Sequence, residues 1–191
     1  MRPFVLSIAA LLLAASSAEA APWQTYTFRG DGFAIESLVP LTKGTGQYRG
    51  AIAGRLQTTT YSGEAENIRY KISIIDISKR LPDAVNLYEE MEFLTSLGGK
   101  VLANESVGIE PGADRHYGRQ LVMQMKDGTL MRTVLVFNKG KIYQTEATIL
   151  HNGDKDSFSP ERFVESILFD LDGAARARDE DPANFTGPDG K

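Results

Sequence analysis

Residues 118–150 read GRQLVMQMKDGTLMRTVLVFNKGKIYQTEATIL, and their periodicity decides the fold. Lys126-Asp127-Gly128 and Asn138-Lys139-Gly140 are tight-turn sequences, because Asn, Asp and Gly tolerate the positive φ that such turns require. They cut the stretch into three strands of a meander, about Gly118 to Met125, Thr129 to Phe137 and Lys141 to Leu150. Strand side chains alternate between faces. In the middle strand this puts Leu130, Val134 and Val136 on one face and Met131, Leu135 and Phe137 on the other. A strand apolar on both faces must be covered on both sides.

Two amphipathic segments are available as cover. Between Pro82-Asp83 and Gly98-Gly99 the pattern is helical, with Ala84, Leu87, Tyr88, Met91 and Leu94 forming one stripe at 100° per residue. Pro82 fits a first helical turn, and the glycine pair ends the run. Near the C-terminus Ser159 is expected to cap a second helix with Pro160 at its first position, and Phe163, Val164, Ile167, Leu168 and Leu171 make its stripe.

Upstream, Trp23 to Phe28 and Phe33 to Val39 read as a hairpin closed by Arg29-Gly30-Asp31-Gly32. Arg29-Gly30-Asp31 is also the cell-adhesion tripeptide, but Gly and Asp are what a tight turn selects. Residues 40–54, with Gly44, Gly46, Gly50 and Gly54 and no hydrophobic period, read as a loop. Strands follow at about Arg55 to Ser62 and Asn67 to Ile77. In the second, Ile68, Tyr70, Ile72 and Ile74 share a face while Ile75 and Ile77 take the opposite parity, which calls for a bulge or an end of cover near Ile74-Ile75. Val101 to Ile109 is a further strand, and Glu110-Pro111-Gly112-Ala113 a turn. The expected fold is α+β, an α/β/α sandwich of a mainly antiparallel sheet of about seven strands with two helices.

This order of elements resembles the PsbP-like superfamily, named for an extrinsic subunit of photosystem II and sharing its fold with a small nuclear-import factor. The resemblance runs from about Trp23 to Leu171. It rests on Phe28-(x)3-Gly32-Phe33-(x)6-Pro40, the mid-chain helix closed by Gly98-Gly99-Lys100, the meander ending Lys141-Ile142-Tyr143-Gln144, and Phe163-Val164-Glu165-Ser166-Ile167. It implies an accessory or binding module, and it carries over no functional residue.

The ends indicate destination. Arg2, the apolar run Phe4 to Ala15 and Ala18-Glu19-Ala20 make residues 1–20 a secretory signal peptide, with cleavage between Ala20 and Ala21. The apolar run is about twelve residues, whereas a spanning helix needs roughly twenty. Residues 21–172 are the folded domain, and 173–191, rich in Ala, Arg, Asp, Pro and Gly, are expected to be a disordered tail. The expected location is bacterial periplasm or the medium, with no membrane span in the mature chain.

Composition narrows the chemistry. Removing residues 1–20 takes away Arg2 and Glu19, so the net charge stays at −4. An acidic chain without a basic cluster gains little from counterion release, which argues against nucleic acid and anionic membranes as partners. There is no cysteine, so lipidation at an N-terminal Cys, disulfides and thiolate sites are excluded.

Candidate metal ligands are His151, Asp154 and Asp156, with Asp114 and His116 as a second grouping. Asp154-x-Asp156 begins like a calcium loop but has Phe158 and Ser159 at its fifth and sixth positions, where a calcium loop requires Gly at the sixth. A solvated loop before a helix accounts for the same residues. No nucleophile elbow, Ser-x-x-Lys pair or metalloprotease helix is present.

The reading that follows is an exported, non-enzymatic accessory or binding module acting on a protein or cell-envelope partner, with no cofactor. The alternatives are a small-ligand or weak divalent-metal binder and, behind it, a hydrolase with an unrecognised site. A docking patch is suggested by Phe93, which falls about 150° from the centre of the apolar stripe, beside Leu97. Its cover is a long loop, the tail through Phe185, or another protein, and a single exposed Phe is equally ordinary.

Overall fold

A computed structural model describes residues 22–52, 54–109, 116–169 and 171. Its elements are β1 (Gln24–Phe28), β2 (Phe33–Ser37), β3 (Thr42–Gly50), β4 (Gly54–Ala65), β5 (Ile68–Asp76), a 3-10 segment (Ser78–Asp83), α1 (Ala84–Ser96), β6 (Gly99–Ile109), β7 (His116–Met125), β8 (Leu130–Asn138), β9 (Lys141–Ile149) and α2 (Ser159–Glu165). Strands β3 to β9 form one seven-stranded sheet in the order β3-β4-β5-β9-β8-β7-β6, antiparallel throughout, and β1-β2 is a separate hairpin. The expected α/β/α sandwich is the observed architecture.

The middle meander strand explains why. On β8, Val134, Leu135 and Val136 are all 0% exposed. Val134 and Val136 pack with Phe33, Tyr70, Phe163 and Ile167 beneath α2 and the β1-β2 hairpin. Met131 and Leu135 pack with Leu87 and Met91 beneath α1. Both helices are therefore needed to take this strand out of water.

Strand β5 is covered in the same divided way. Ile68, Tyr70, Ile72 and Ile74 belong to the α2-side core and Ile75 and Ile77 to the α1-side core. The register to β9 runs without a shift from Ile68↔Ile149 to Asp76↔Lys141, so no bulge separates the two parities. The change of face reflects cover by α1 at that end of the strand.

Residues 42–50 are a strand, not the loop that the glycines suggest. Each residue of β3 pairs with β4, from Thr42↔Ser62 to Gly50↔Gly54. The period of two is present, but glycine stands where apolar residues usually mark it. Gly44, Gly46, Tyr48 and Gly50 take the half-buried positions, while Lys43, Thr45, Gln47 and Arg49 are exposed. A Cβ on Gly46 would lie 2.7 Å from Thr58 Oγ1, so close packing against β4 selects the small residue.

Helix α2 also departs from expectation. Ser159 is its first residue rather than a capping side chain, no side-chain bond caps the helix, and Pro160 lies at its start. The Ser157 hydroxyl instead accepts the Ser159 N–H at 3.2 Å. The helix stops at Glu165 because Ser166 Oγ accepts the N–H of Glu36 at 3.0 Å and donates to Phe163 O. Leu168 then pairs with Ala34 through two backbone bonds of 2.8 Å, continuing alongside β2 instead of adding to a helical stripe.

The two edge strands reach the same helix from opposite sides. Glu90 of α1 accepts a hydrogen bond from Tyr48 Oη of β3 at 2.7 Å and the N–H groups of Ala51 and Ile52 just beyond it. Glu92, two residues on, accepts from Asn104 Nδ2 of β6 at 2.9 Å. A flat sheet of seven strands at about 4.8 Å spacing would hold its edges roughly 29 Å apart, against a helix about 10–12 Å across. The sheet therefore curls around α1. Burial and the Glu90 carboxylate push the Tyr48 phenol well above its ordinary value. A Cβ on Gly50 would overlap that carboxylate, so Gly50 is what lets the edge close onto the helix.

Glu90→Ala should lower the free energy of urea unfolding by about 2 kcal/mol, the scale of hydrogen bonds to a charged group. Gly50→Ala, which displaces the same carboxylate, should be destabilising on its own. Its cost should fall but not vanish in the Glu90→Ala background, because the two changes share the carboxylate contact while the added Cβ still meets Tyr48 Oη.

Candidate functional site

Helix α1 is held by a narrow contact. Leu87 and Met91 are buried, with Ala84 and Tyr88 partly so, but Leu94, expected in the stripe, is 36% exposed. Phe93 is 60% and Leu97 55% exposed, so no described residue covers them. On the helical wheel both lie on the flank of Glu90, the side turned toward β3. Ile52, whose N–H Glu90 holds, is a further exposed apolar residue there.

The opposite flank of α1 opens into a groove of about 560 Å³. Its lining comes from four elements: Ala84, Val85 and Tyr88 of α1, Ser106 of β6, Gly118 and Arg119 of β7, and Phe137 of β8. Val85 is 70% exposed and Phe137 36%. The parity that sends Leu135 into the α1-side core also sends Phe137 toward this helix. Phe137 lies at the border of the groove, beside the first turn of α1.

Polar groups in the groove are engaged within the protein. Arg119 Nη1 donates to Ser106 Oγ at 3.0 Å, and Arg119 Nε lies 3.5 Å from Glu92 Oε1. Tyr88 Oη donates to Leu135 O at 2.7 Å, and burial pushes its phenol up to about 12. Ser106 thus has a guanidinium as its hydrogen-bond partner, which cannot take a proton from it. This arrangement supports binding of an apolar group and gives no activated nucleophile.

The sequence candidates for metal are placed in one exposed turn after β9. His151, Asp154 and Asp156 are all exposed, and Asp154 Oδ1 accepts the Asp156 N–H at 2.9 Å, an ordinary Asx turn. Among the described residues no three His, Asp or Glu side chains converge as a metal-holding group. Asp114, Ala20, Ala21, Phe185 and the Glu110-Pro111-Gly112-Ala113 turn lie outside the described residues.

The Arg29-Gly30-Asp31 turn is committed to internal structure. Asp31 carboxylate accepts from Tyr61 Oη at 2.5 Å and Lys43 Nζ at 2.9 Å, and its carbonyl accepts from Tyr143 Oη at 2.8 Å. Burial raises the Asp31 carboxyl, but the bonds from Tyr61 and Lys43 and the charges of Lys43 and Lys141 outweigh it and hold it below its ordinary value. These bonds clamp the hairpin turn onto β3, β4 and β9. Among the described residues no helix is long and apolar enough to cross a membrane.

No family model and no curated protein matches the chain. Among solved structures it is similar to the solution structure of cyanobacterial PsbP from Synechocystis sp. PCC 6803, with 15% identity, 83% of this chain and 98% of that chain covered, and a TM-score of 0.46. It is also similar to the crystal structure of a protein of unknown function from Pseudomonas aeruginosa, with 15% identity, 68% and 83% covered, and a TM-score of 0.35.

The lowered Asp31 carboxyl has a definite sign in stability. A carboxyl held below its unfolded value, about 3.9, stabilises the fold fully above that pH and loses the contribution as pH falls through the folded value. Asp31→Ala should cost about 1 kcal/mol at neutral pH. Its deficit against the parent in urea titrations should shrink steadily below about pH 4.

Proposed function

We propose that this chain is a non-enzymatic binding module, exported by a cleavable signal at residues 1–20, that takes an apolar element of a cell-envelope protein against helix α1. The observation that carries the reading is the outward apolar surface of that helix. Val85, Phe93 and Leu97 are each more than half exposed, and Val85 borders the groove. Aromatic and aliphatic side chains presented this way serve as interface anchors.

One observation favours a second reading, in which the groove takes a small molecule. Its volume, about 560 Å³, falls among ligand cavities of about 300–1,000 Å³. The lining then specifies an apolar ligand, since Arg119, Ser106 and Tyr88 already have partners. His151, Asp154 and Asp156 remain the place to look for a weakly held divalent ion, and a thermal-shift series with calcium, zinc and manganese reads that directly.

Phe93→Ser and Val85→Asp should each change stability by no more than about 0.5 kcal/mol, as surface substitutions do. Cross-linking in envelope extract followed by mass spectrometry should identify one partner with the parent chain and lose it with both variants. Full cross-linking by both variants, or turnover in a broad hydrolase screen, would contradict the proposal. A thermal shift with long-chain fatty acids that Val85→Asp removes would favour the small-molecule reading.

A further inference from the structure

Strand β3 is an edge of the main sheet and pairs only with β4. Among the described residues its outer row of N–H and C=O groups has no backbone partner. Such an edge is a template for an added strand unless it is blunted. The opposite edge, β6, is blunted by a register shift between Val101 and Ala103. Strand β3 runs through nine residues in unbroken register.

The face of β3 turned away from α1 carries an unusual charge pair. Arg49 and Arg55 are direct cross-strand partners, and both are exposed. Like charges set opposite one another destabilise a sheet. Among the described residues neither has a carboxylate within ion-pair distance; Arg49 Nη2 donates only to Gln47 Oε1, at 3.2 Å. This happens on a chain whose net charge is −4, where a counter-charge would be easy to supply. Next to the pair, Thr45, Gly46, Gln47 and Gln57 line a recess of about 360 Å³, whose side chains are neutral hydrogen-bonding groups.

We propose that β3 is a strand-addition site for an extended acidic peptide of another protein. Its main chain would pair with the free edge of β3, and its carboxylates would answer Arg49 and Arg55. Backbone pairing supplies affinity in this mode, and alternate side chains supply selection. A site built on charge also steers the encounter, so its binding weakens with salt. The inference is independent of the α1 groove, which lies across the other face of the sheet.

The test uses the full chain and a fluorescein-labelled peptide of alternating glutamate and valine, as long as β3, read by anisotropy at low ionic strength. The glutamate peptide should bind and its lysine counterpart should not. Arg49→Glu and Arg55→Glu should each weaken binding about tenfold or more, the scale of one close charge pair, with thermal midpoints no lower than the parent's, because each replaces a like-charge cross-strand pair with an opposite-charge one. A glutamate peptide N-methylated at every second residue should bind far more weakly, because methylation removes its ladder donors. Equal binding of the methylated peptide, or displacement by inorganic tripolyphosphate as effective as by unlabelled peptide, would show a site that reads charge alone and overturn strand addition. Absence of binding overturns it as well, leaving the arginines as guards of the edge. So does a dimer in sedimentation that Arg55→Glu dissolves and the peptide does not, since the edge would then serve a second copy of the chain.

Discussion

Strand β8 has no side that water reaches at its centre, and the rest of the molecule is arranged to make that possible. Val134 and Val136 require a layer on one face and Leu135 a layer on the other. The α2 side is met by a broad core in which Phe33, Tyr70, Tyr143 and Phe163 pack together with edge and tilted ring contacts. The α1 side is met by a smaller group built on Leu87 and Met91. Removing either layer would expose a strand whose sequence has no polar face to offer.

The thinner layer also carries the unfilled surface. Helix α1 has little apolar area to spend on the sheet, so its position is fixed by carboxylates as much as by packing, with Glu90 toward β3 and Glu92 toward β6. Apolar residues off the narrow contact stripe are left facing solvent. The groove follows from the same geometry: where the helix begins, the curled sheet is wider than the helix can fill, and Phe137 is left at its border. This side presents an apolar surface, because the polar groups nearby are already bonded to one another.

The parts legible in the sequence are those in which one local rule decides the outcome. Turn dipeptides separated the meander strands correctly, and Lys139 and Gly140 do take positive φ. The alternation in 130–137 located both faces of β8. Strand β3 was hidden because its inward positions carry glycine, which reports a close neighbour rather than a hydrophobic one. The end of α2 was hidden because Ser166 bonds to Glu36, a residue remote in sequence. The groove was hidden for the same reason, since its lining spans residues 84 to 137. The angle that Phe93 makes with the stripe of its own helix set it apart from the sheet-facing core but left its cover open.

The strand order has a consequence for how the chain assembles. The sheet is two consecutive meanders, β3-β4-β5 and β6-β7-β8-β9, joined along β5 and β9. Each meander is made of neighbouring strands, whose hairpins form on the microsecond scale. The seam pairs residues 68–76 with 141–149 and must close a long loop first, at an entropic cost that grows only with the logarithm of loop length. Helix α1 is synthesised between the halves, and Leu87 and Met91 pack on Ile75 from one and Ile142 from the other. It acts as a clasp over the seam, so the rate at which this protein folds depends on when its two halves meet beneath that helix.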